Sequence, residues 1–366
     1  MAAWSEGEGW RVSRTSSLDL RAAGSGPAHE FRRVVGAARL DDGRLAVADA
    51  GSGEVRYYSP EGAFLSAWRD EAASVEGDLT SLSRLGGDSL VVFDAARAAA
   101  TVLSPAGSAV RVVPLRWTGD SPLARAFALR DGTLIVRTGW SASASRGLGP
   151  GVVRAPLAFL RFAADGVLLD TVAVVPGNAV AVVPLGPAGA FLPPVLGAVT
   201  VSDVRGQELI VGTGDAFELR VIAADGRLEE ILRVPSADLA VTPEELEAAR
   251  ASLTRLGEEN PVARRILAEV GRWAPDPDTR PAYGALVVDR EGYAWVAEYP
   301  WGGPGAVPAR QPVAWTVFDA EGRMLGEVRI PEGLELLEVG RDYVLGVHRL
   351  DGVETVASYA LDRGGG

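Results

Sequence analysis

Residues 40–68 read LDDGRLAVADAGSGEVRYYSPEGAFLSAW, and this stretch decides the fold. Two acid-glycine pairs, Asp42-Gly43 and Glu61-Gly62, interrupt short runs of β-branched, aromatic and small apolar residues. Glycine accepts a positive φ at no steric cost, so an acid-glycine pair between such runs predicts a tight β-hairpin. The stretch therefore predicts consecutive antiparallel strands that are joined by short turns.

The same pattern recurs along the chain. Equivalent second-strand runs are RLAVAD (44–49), SLVVFD (89–94), TLIVRT (133–138), ELIVGT (208–213), YAWVAE (293–298) and YVLGVH (343–348). Each run follows another short apolar run and precedes a second hairpin, which gives four strands per unit and six units. A four-stranded unit repeated six times predicts an all-β, six-bladed β-propeller with one sheet per blade.

Four segments do not fit the repeat, namely 139–154, 176–196, 235–282 and 299–312. Without them the chain averages about 44 residues per unit, the usual size of a blade. The sixth unit lacks a fourth strand, and residues 10–20 form a spare strand near the N-terminus. We expect these two ends to pair and close the ring, within a single domain that spans residues 1–366.

The largest insertion, 235–282, predicts two helices. Thr242-Pro243-Glu244-Glu245 is a capping box, with Thr as N-cap, Pro at the first helical position and Glu at the third. Asn260-Pro261 begins a second apolar stripe at helical spacing. Two placements are open: a partial lid over one face, or a clasp between blades 4 and 5.

Composition excludes several classes of function. The net charge is −12, there is no Lys among the 36 basic residues, and there is no Cys. An acidic, Lys-free chain is a poor candidate for nucleic acid, and thiolate chemistry and disulfides are ruled out. With two His in total, a three-His metal site is also ruled out. No run resembles an export signal or a membrane span, so no membrane insertion is expected.

The chain resembles the NHL-like group of bacterial six-bladed propellers, on the pattern xDGxLxVxD followed by a hairpin in residues 40–68. It is closer still to uncharacterised bacterial members with tails such as ALVVDREGYAWVAEYP and YVLGVHRLDGVETVASYAL. The resemblance implies the fold and, since such proteins are often exported, a secreted or cell-envelope location. We expect a monomer.

All four insertions belong to one face of the predicted ring, the face where second strands end. Loops on a rigid scaffold commonly carry function, so this face is the candidate binding surface; loop drift is the alternative. Trp and Tyr in these loops suit stacking on sugars or peptide side chains, or else pin the loops to the sheets. The candidate ligand-binding residues are Arg137, Trp140, Glu298, Tyr299, Trp301, His348 and Arg349.

The last residues of the second strands favour different roles. In NHL-like propellers an Asp at this position commonly holds the following loop through backbone N–H groups, so the resemblance implies this role for Asp49 and Asp94. Glu298 and His348 depart from that pattern in neighbouring blades, where a carboxylate beside a His could tune its pKa.

These observations favour a non-catalytic propeller that binds a peptide, glycan or protein partner and uses no cofactor. The alternative is a hydrolase or lactonase with a divalent cation in the central channel, Glu298 acting as base and His348 as its partner. Gluconolactonase-like propellers hold calcium in the channel with Asn as well as Asp and Glu side chains, but both Asn residues of this chain lie in insertions. A calcium site in this chain would therefore use carboxylates alone.

Overall fold

The computed structural model describes residues 4, 9–70, 78–141, 149–184, 190–235, 237–258, 261–299, 314–350 and 352–364. Trp301 lies outside these residues, as do most of the predicted insertion 299–312 and part of 139–154. No helix in the described ranges has the length and apolar character needed to span a bilayer.

The described residues form six four-stranded antiparallel sheets, numbered here along the chain. Sheet 1 contains β2 (Val34–Arg39), β3 (Leu45–Asp49), β4 (Glu54–Tyr58) and β5 (Phe64–Arg69). Sheet 2 contains β6 (Leu79–Arg84), β7 (Leu90–Asp94), β8 (Ala99–Leu103) and β9 (Ala109–Pro114). Sheet 3 contains β10 (Leu123–Ala128), β11 (Leu134–Thr138), β13 (Pro156–Phe162) and β14 (Leu168–Pro176).

The second half of the chain continues the pattern. Sheet 4 contains β17 (Val201–Arg205), β18 (Glu208–Gly212), β19 (Glu218–Ala223) and β20 (Leu228–Arg233). Sheet 5 contains β21 (Ala285–Val288), β22 (Ala294–Ala297), β23 (Ala314–Phe318) and β24 (Met324–Arg329). Sheet 6 contains β25 (Leu334–Val339), β26 (Tyr343–Leu350), β27 (Val353–Asp362) and β1 (Arg11–Asp19).

The acid-glycine turns behave as expected. Gly43 and Gly62 have φ of +88° and +89°, values that a residue with a Cβ adopts only under strain. The amide of Gly43 donates to the carbonyl of Leu40 at 2.9 Å and closes the turn between β2 and β3. The prediction of an all-β chain built from four-stranded hairpin units is confirmed.

Consecutive sheets pack face to face. The first strand of each sheet contacts the first strand of the next, and β25 of sheet 6 contacts β2 of sheet 1. Six clusters of buried apolar side chains lie between successive sheets, including one between sheets 6 and 1 that contains Val347 and Val47. Trp295 and Trp315 are 0% and 3% exposed between sheets 5 and 6.

The predicted pairing of the two chain ends is confirmed. Strand β1 pairs antiparallel with β27, with Arg11 opposite Asp362 and Asp19 opposite Ala357. The hydroxyl of Ser17 also donates to the carbonyl of Ser358 at 3.0 Å. The N-terminal strand therefore completes the sheet that the C-terminal strands begin.

A seventh sheet of three strands was not anticipated. It contains β12 (Gly151–Val153), β15 (Val180–Val183) and β16 (Ala190–Leu192), and it is called the accessory sheet below. Its strands come from two of the predicted insertions, 139–154 and 176–196, so segments far apart in sequence assemble into one structure.

Helices occupy the insertion between sheets 4 and 5, and a further short helix, α1 (Leu20–Ala23), follows β1. The two predicted helices are α2 (Pro243–Glu258) and α3 (Pro261–Trp273). The capping box is present, because the amide of Thr242 donates to Oε2 of Glu245 at 2.8 Å and the amide of Glu245 donates to Oγ1 of Thr242 at 3.2 Å.

The helices connect neighbouring elements. Ala249 of α2 is buried in the apolar cluster between sheets 4 and 5, and Val270 of α3 packs with Ala181 and Val183 of the accessory sheet. Within the described part of the chain, neither helix contributes to the wall of the central channel. The packing of Ala249 between sheets 4 and 5 is the contact that the clasp placement requires of α2.

Candidate functional site

The first strands of all six sheets line a common channel of about 1190 Å³. Its wall mixes small apolar residues with charged side chains of both signs. The charged members are Arg33, Arg84, Arg125, Arg130, Asp203, Asp289, Arg290, Glu298, Glu335, Glu338 and Arg349.

Ion pairs crowd the end of the channel where the first strands finish. The carboxylate of Glu338 accepts from the amide of Arg39 at 2.8 Å, from the hydroxyl of Tyr343 at 2.5 Å and from Nη2 of Arg84 at 3.0 Å. Arg84 also pairs with Asp88 at 2.5 Å. Burial raises the pKa of Tyr343, and the negative charge of Glu338 raises it further. Because these contacts join sheets 1, 2 and 6, this end is bound together by charge and is called the turn end.

The other end, where the second strands finish, is called the insertion end. There Arg349 joins sheets 6 and 1: its Nε donates to Oε1 of Glu354 at 2.8 Å and its Nη2 donates to the carbonyl of Val34 at 2.6 Å. It also pairs with Glu335. Oε2 of Glu354 accepts from the amide of Val34 at 2.5 Å. The structure thus gives Arg349, a predicted ligand contact, three partners: two carboxylates of its own sheet 6 and, across the boundary, the carbonyl of Val34 in sheet 1.

Glu298 and Tyr299 lie next to each other in sequence but in different surroundings. Glu298 is exposed at the channel wall, and its carboxylate forms no hydrogen bond or ion pair within the described ranges. Tyr299 is 3% exposed, packs in the cluster between sheets 4 and 5, and donates from its hydroxyl to the carbonyl of Gly197 at 3.4 Å. Burial raises the pKa of Tyr299. Of the two, Glu298 is open to a ligand in the channel.

His348 is half-buried on β26, and its Nε2 lies 2.8 Å from the hydroxyl of Tyr359. Burial lowers the pKa of His348, while the charge of Asp19 and a hydrogen bond with the backbone of Gly333 act in the opposite direction. No ion pair between His348 and Glu298 is found among the residues that the structure describes.

Trp140 lies at the start of the insertion after β11. Its ring packs against Phe191 of the accessory sheet, with centroids 5.8 Å apart. The residue is partly exposed. Trp140 therefore links sheet 3 to the accessory sheet while part of its surface stays available.

Arg137, near the end of β11, lies one strand outward from the channel wall. Its Nε is buried without a hydrogen-bond partner. Burial lowers the pKa of Arg137 to about 10, and the neighbouring charge of Arg125 lowers it as well. Arg125 is the residue opposite on β10 and is exposed to the channel. Sequence reasoning missed Arg125, although an Arg inside the apolar run RAFAL was a visible signal.

The loop-holding role expected for the strand-terminal aspartates is confirmed for Asp49. This carboxylate is fully buried and its Oδ1 accepts from the amides of Arg32, Arg33 and Gly51 at 3.3, 2.9 and 3.2 Å. At Asp94, Oδ1 accepts from the amide of Arg97 at 3.0 Å.

The described part of the channel wall does not fit a bound cation of the kind that the alternative requires. Across the described ranges, no group of three or more His, Asp or Glu side chains is placed to hold a metal ion. Asp289, on the channel wall, instead accepts from Nη2 of Arg363 at 2.7 Å and from Nε1 of Trp295 at 3.0 Å. Asp203 accepts from the amides of Val288 and Val204 at 2.7 and 2.9 Å.

No family model matches the chain, and no curated protein matches it. Solved structures do. A member of the duf4221 family from Bacteroides vulgatus is 12% identical, with 98% of this chain and 99% of that chain covered and a TM-score of 0.54.

Two enzymes are also similar in structure. A gluconolactonase from Xanthomonas campestris is 14% identical over 98% of this chain and 97% of its own, with a TM-score of 0.45. A virginiamycin B lyase from Staphylococcus aureus is 10% identical over 96% of this chain and 99% of its own, also with a TM-score of 0.45. At these identities the likeness concerns the fold alone, and the first comparison places this chain among β-propeller-type folds.

Proposed function

We propose that the protein is a six-bladed β-propeller that binds a ligand without transforming it, and that the ligand enters the central channel from the insertion end. The six-blade count is supported by the succession of apolar clusters from sheet 1 round to the boundary between sheets 6 and 1. The terminal strand pairing adds support, because a shared last sheet is what joins a ring of blades.

The observation that carries the binding function is the contrast between the two channel ends. At the turn end, Glu338 is occupied by three donors from neighbouring elements. At the insertion end, the Glu298 carboxylate is exposed and has no partner in the described part of the chain. A concave site with a few free polar groups is the usual form of a ligand site.

The ligand class that we propose is a peptide or a glycan, or an extended segment of a protein partner. Glu298 would orient it by hydrogen bonds, and the exposed part of Trp140 would offer an apolar contact at the rim. Trp301 belongs to the same proposal on sequence grounds. Arg349 and Tyr299, with their existing partners, would hold the mouth of the channel in shape, and His348 would contribute from the same strand as Arg349.

The test is a thermal-shift screen of peptides and oligosaccharides on the purified protein, followed by titration of each hit. A ligand at 100 times its dissociation constant stabilises the folded state by about 2.7 kcal/mol, which a melting curve resolves. We expect Glu298→Gln to weaken a hit at least tenfold. The control is Glu291→Gln, because Glu291 is an exposed carboxylate at the opposite end of β22. Equal effects of both variants would refute the location of the site.

The same assay tests the cation-dependent alternative. Melting curves are recorded with calcium, with zinc and with a chelator. One outcome would favour the cation-dependent hydrolase over the binding function. In that outcome calcium raises the melting temperature, the chelator reverses the rise, and Glu298→Gln abolishes it. On the family resemblance we also propose a secreted or cell-envelope location, which fractionation of cells that express the native gene would test.

A further inference from the structure

Two arginines face each other across neighbouring strands of sheet 3. Arg125 of β10 and Arg137 of β11 are direct partners in the antiparallel register, which shifts by one residue just before Arg125. Phe127 and Ile135, two residues further along the same strands, belong to the apolar cluster shared with sheet 4. Because side chains two residues apart lie on one face of a strand, both guanidinium groups project towards sheet 4.

This arrangement is unfavourable as it stands. Like charges directly opposite in a ladder repel, and a buried charge without a counter-charge is costly. Within the described ranges, neither guanidinium forms a hydrogen bond or an ion pair, and Nε of Arg137 is fully enclosed. Arg125 has only the ring of Phe127, 5.3 Å from its Cζ.

Two other arginines of the channel wall, Arg84 and Arg349, differ in this respect. Arg84 pairs with Asp88 and Glu338, and Arg349 pairs with Glu354 and Glu335. Each of these two guanidinium groups has carboxylate partners, which Arg125 and Arg137 lack within the described ranges.

Asp203, the acidic side chain that interacts electrostatically with Arg125, does not neutralise the arginine pair. Asp203 of β17 feels the charge of Arg125, but its two oxygens accept from the amides of Val204 and Val288. Burial raises the pKa of Asp203, which disfavours its charged form and weakens it as a counter-ion. Among the residues that the structure describes, no negative charge matches the positive charge of the pair.

We propose that Arg125 and Arg137 form a subsite for an oxyanion, a carboxylate or a phosphate group, at the channel wall between sheets 3 and 4. The guanidinium group presents two parallel N–H donors that match either anion, and two such groups on paired strands can converge on one of them. This inference rests on the proposed function, since the oxyanion would be the charged part of the ligand that enters the channel.

The test uses inorganic phosphate and citrate as probes, against chloride at equal ionic strength, because screening by salt alone also changes stability. Binding is measured by calorimetric titration and by melting temperature. We expect a dissociable oxyanion complex in the unmodified protein, and at least a tenfold loss of affinity in Arg125→Gln and in Arg137→Met. The control Arg111→Gln removes an exposed charge from β9 and should change affinity less than twofold.

A second readout separates binding from a structural role. Arg137→Met removes an unpaired buried charge and keeps an apolar side chain, so in oxyanion-free buffer we expect its melting temperature to rise above that of the unmodified protein. If Arg137 belongs to an oxyanion subsite, its replacement by Met should raise the melting temperature and also weaken oxyanion binding. A fall in melting temperature with unchanged affinity would overturn the proposal, as would the absence of binding of both probes to the unmodified protein.

The experiment distinguishes a phosphate from a carboxylate ligand, and it tests the subsite separately from the proposed binding function. Preference for phosphate over citrate identifies a phosphate group, and the reverse identifies a carboxylate; both outcomes support the subsite. If an oxyanion binds but no peptide or glycan does, the subsite holds and the proposed function fails. If peptides bind with the affinity unchanged in both arginine variants, the proposed function holds and the subsite is refuted.

Discussion

The ion pairs at the boundary between sheets 6 and 1 test whether burial determines how much an ion pair contributes to stability. Arg349 contacts two carboxylates, of which the Glu354 side chain is 10% exposed and the Glu335 side chain 61% exposed. Glu354→Ala leaves the buried amide of Val34 without an acceptor, which costs about 1–3 kcal/mol. It also removes the buried partner of Arg349, and breaking a buried pair costs about 3–5 kcal/mol when no other partner remains.

Arg349 keeps the carbonyl of Val34 and the carboxylate of Glu335, so the upper part of that range does not apply. We therefore expect Glu354→Ala to lower the free energy of unfolding by about 3 kcal/mol. Glu354→Gln keeps one oxygen acceptor and should cost about half as much. Glu335→Gln should cost less than about 0.5 kcal/mol, because exposed pairs contribute little.

The measurement is urea unfolding at 25 °C, followed in parallel by tryptophan fluorescence and far-ultraviolet circular dichroism. The two transitions must coincide for the free energies to be comparable between variants. If Glu335→Gln destabilises the protein as much as Glu354→Ala does, then exposure does not set the strength of these pairs and the reasoning fails.

Three further changes test other parts of the fold. Gly212→Ala would place a Cβ 2.1 Å from the hydroxyl oxygen of Tyr283 and should cost about 1–3 kcal/mol, whereas Gly271→Ala in α3 meets open space and should raise stability by up to about 1 kcal/mol; urea unfolding checks both. Thr242→Ala removes the N-cap of α2 and should lower the stability of that helix by about 1 kcal/mol. Faster amide hydrogen exchange within α2 is the expected result. Because burial lowers the pKa of His348, its contribution to stability is complete above the ordinary value of 6.5 and is lost as the pH falls from 6.5 through the lowered pKa. His348→Gln should therefore make the melting temperature less dependent on pH over that interval.

Much of the fold followed from local chemistry. Turn glycines such as Gly132 and Gly226, with φ of +82° and +86°, have a backbone conformation that few other residues tolerate, so the hairpins could be located in the sequence. The pairing of β1 with β27 followed from counting strands, because one unit lacked a strand and another segment was spare.

The accessory sheet could not be predicted in this way. Its strands are three or four residues long, and β12 pairs with β15 across the whole of β13 and β14. Such short strands carry no clear period, and their pairing depends on where the scaffold brings the two insertions together. The contact between Trp140 and Phe191 was hidden for the same reason.

The location of the candidate site residues could be predicted from the sequence, but the residues that they contact could not. Counting strands placed Arg137 and Glu298 near the insertion end, where the structure has them. The role that we propose for Arg125 depends on the register shift that follows Leu123, which puts Arg125 opposite Arg137. A one-residue change of register moves a side chain to the other face of a strand, and nothing local in the sequence fixed that register.

The pairing of β1 with β27 also bears on how the chain folds. In sheets 1, 2 and 4, all strands are joined to their sequence neighbours by hairpins, which close short loops and form early. Strand β1 must instead find a partner at the far end of the chain, as the contact between Ser17 and Ser358 illustrates. The entropy of closing so long a loop is recovered only after the intervening sheets have stacked, since stacking brings the ends together. We therefore expect sheet 6 to be completed last, and until then the open edge of β27 would be exposed to pairing with another chain.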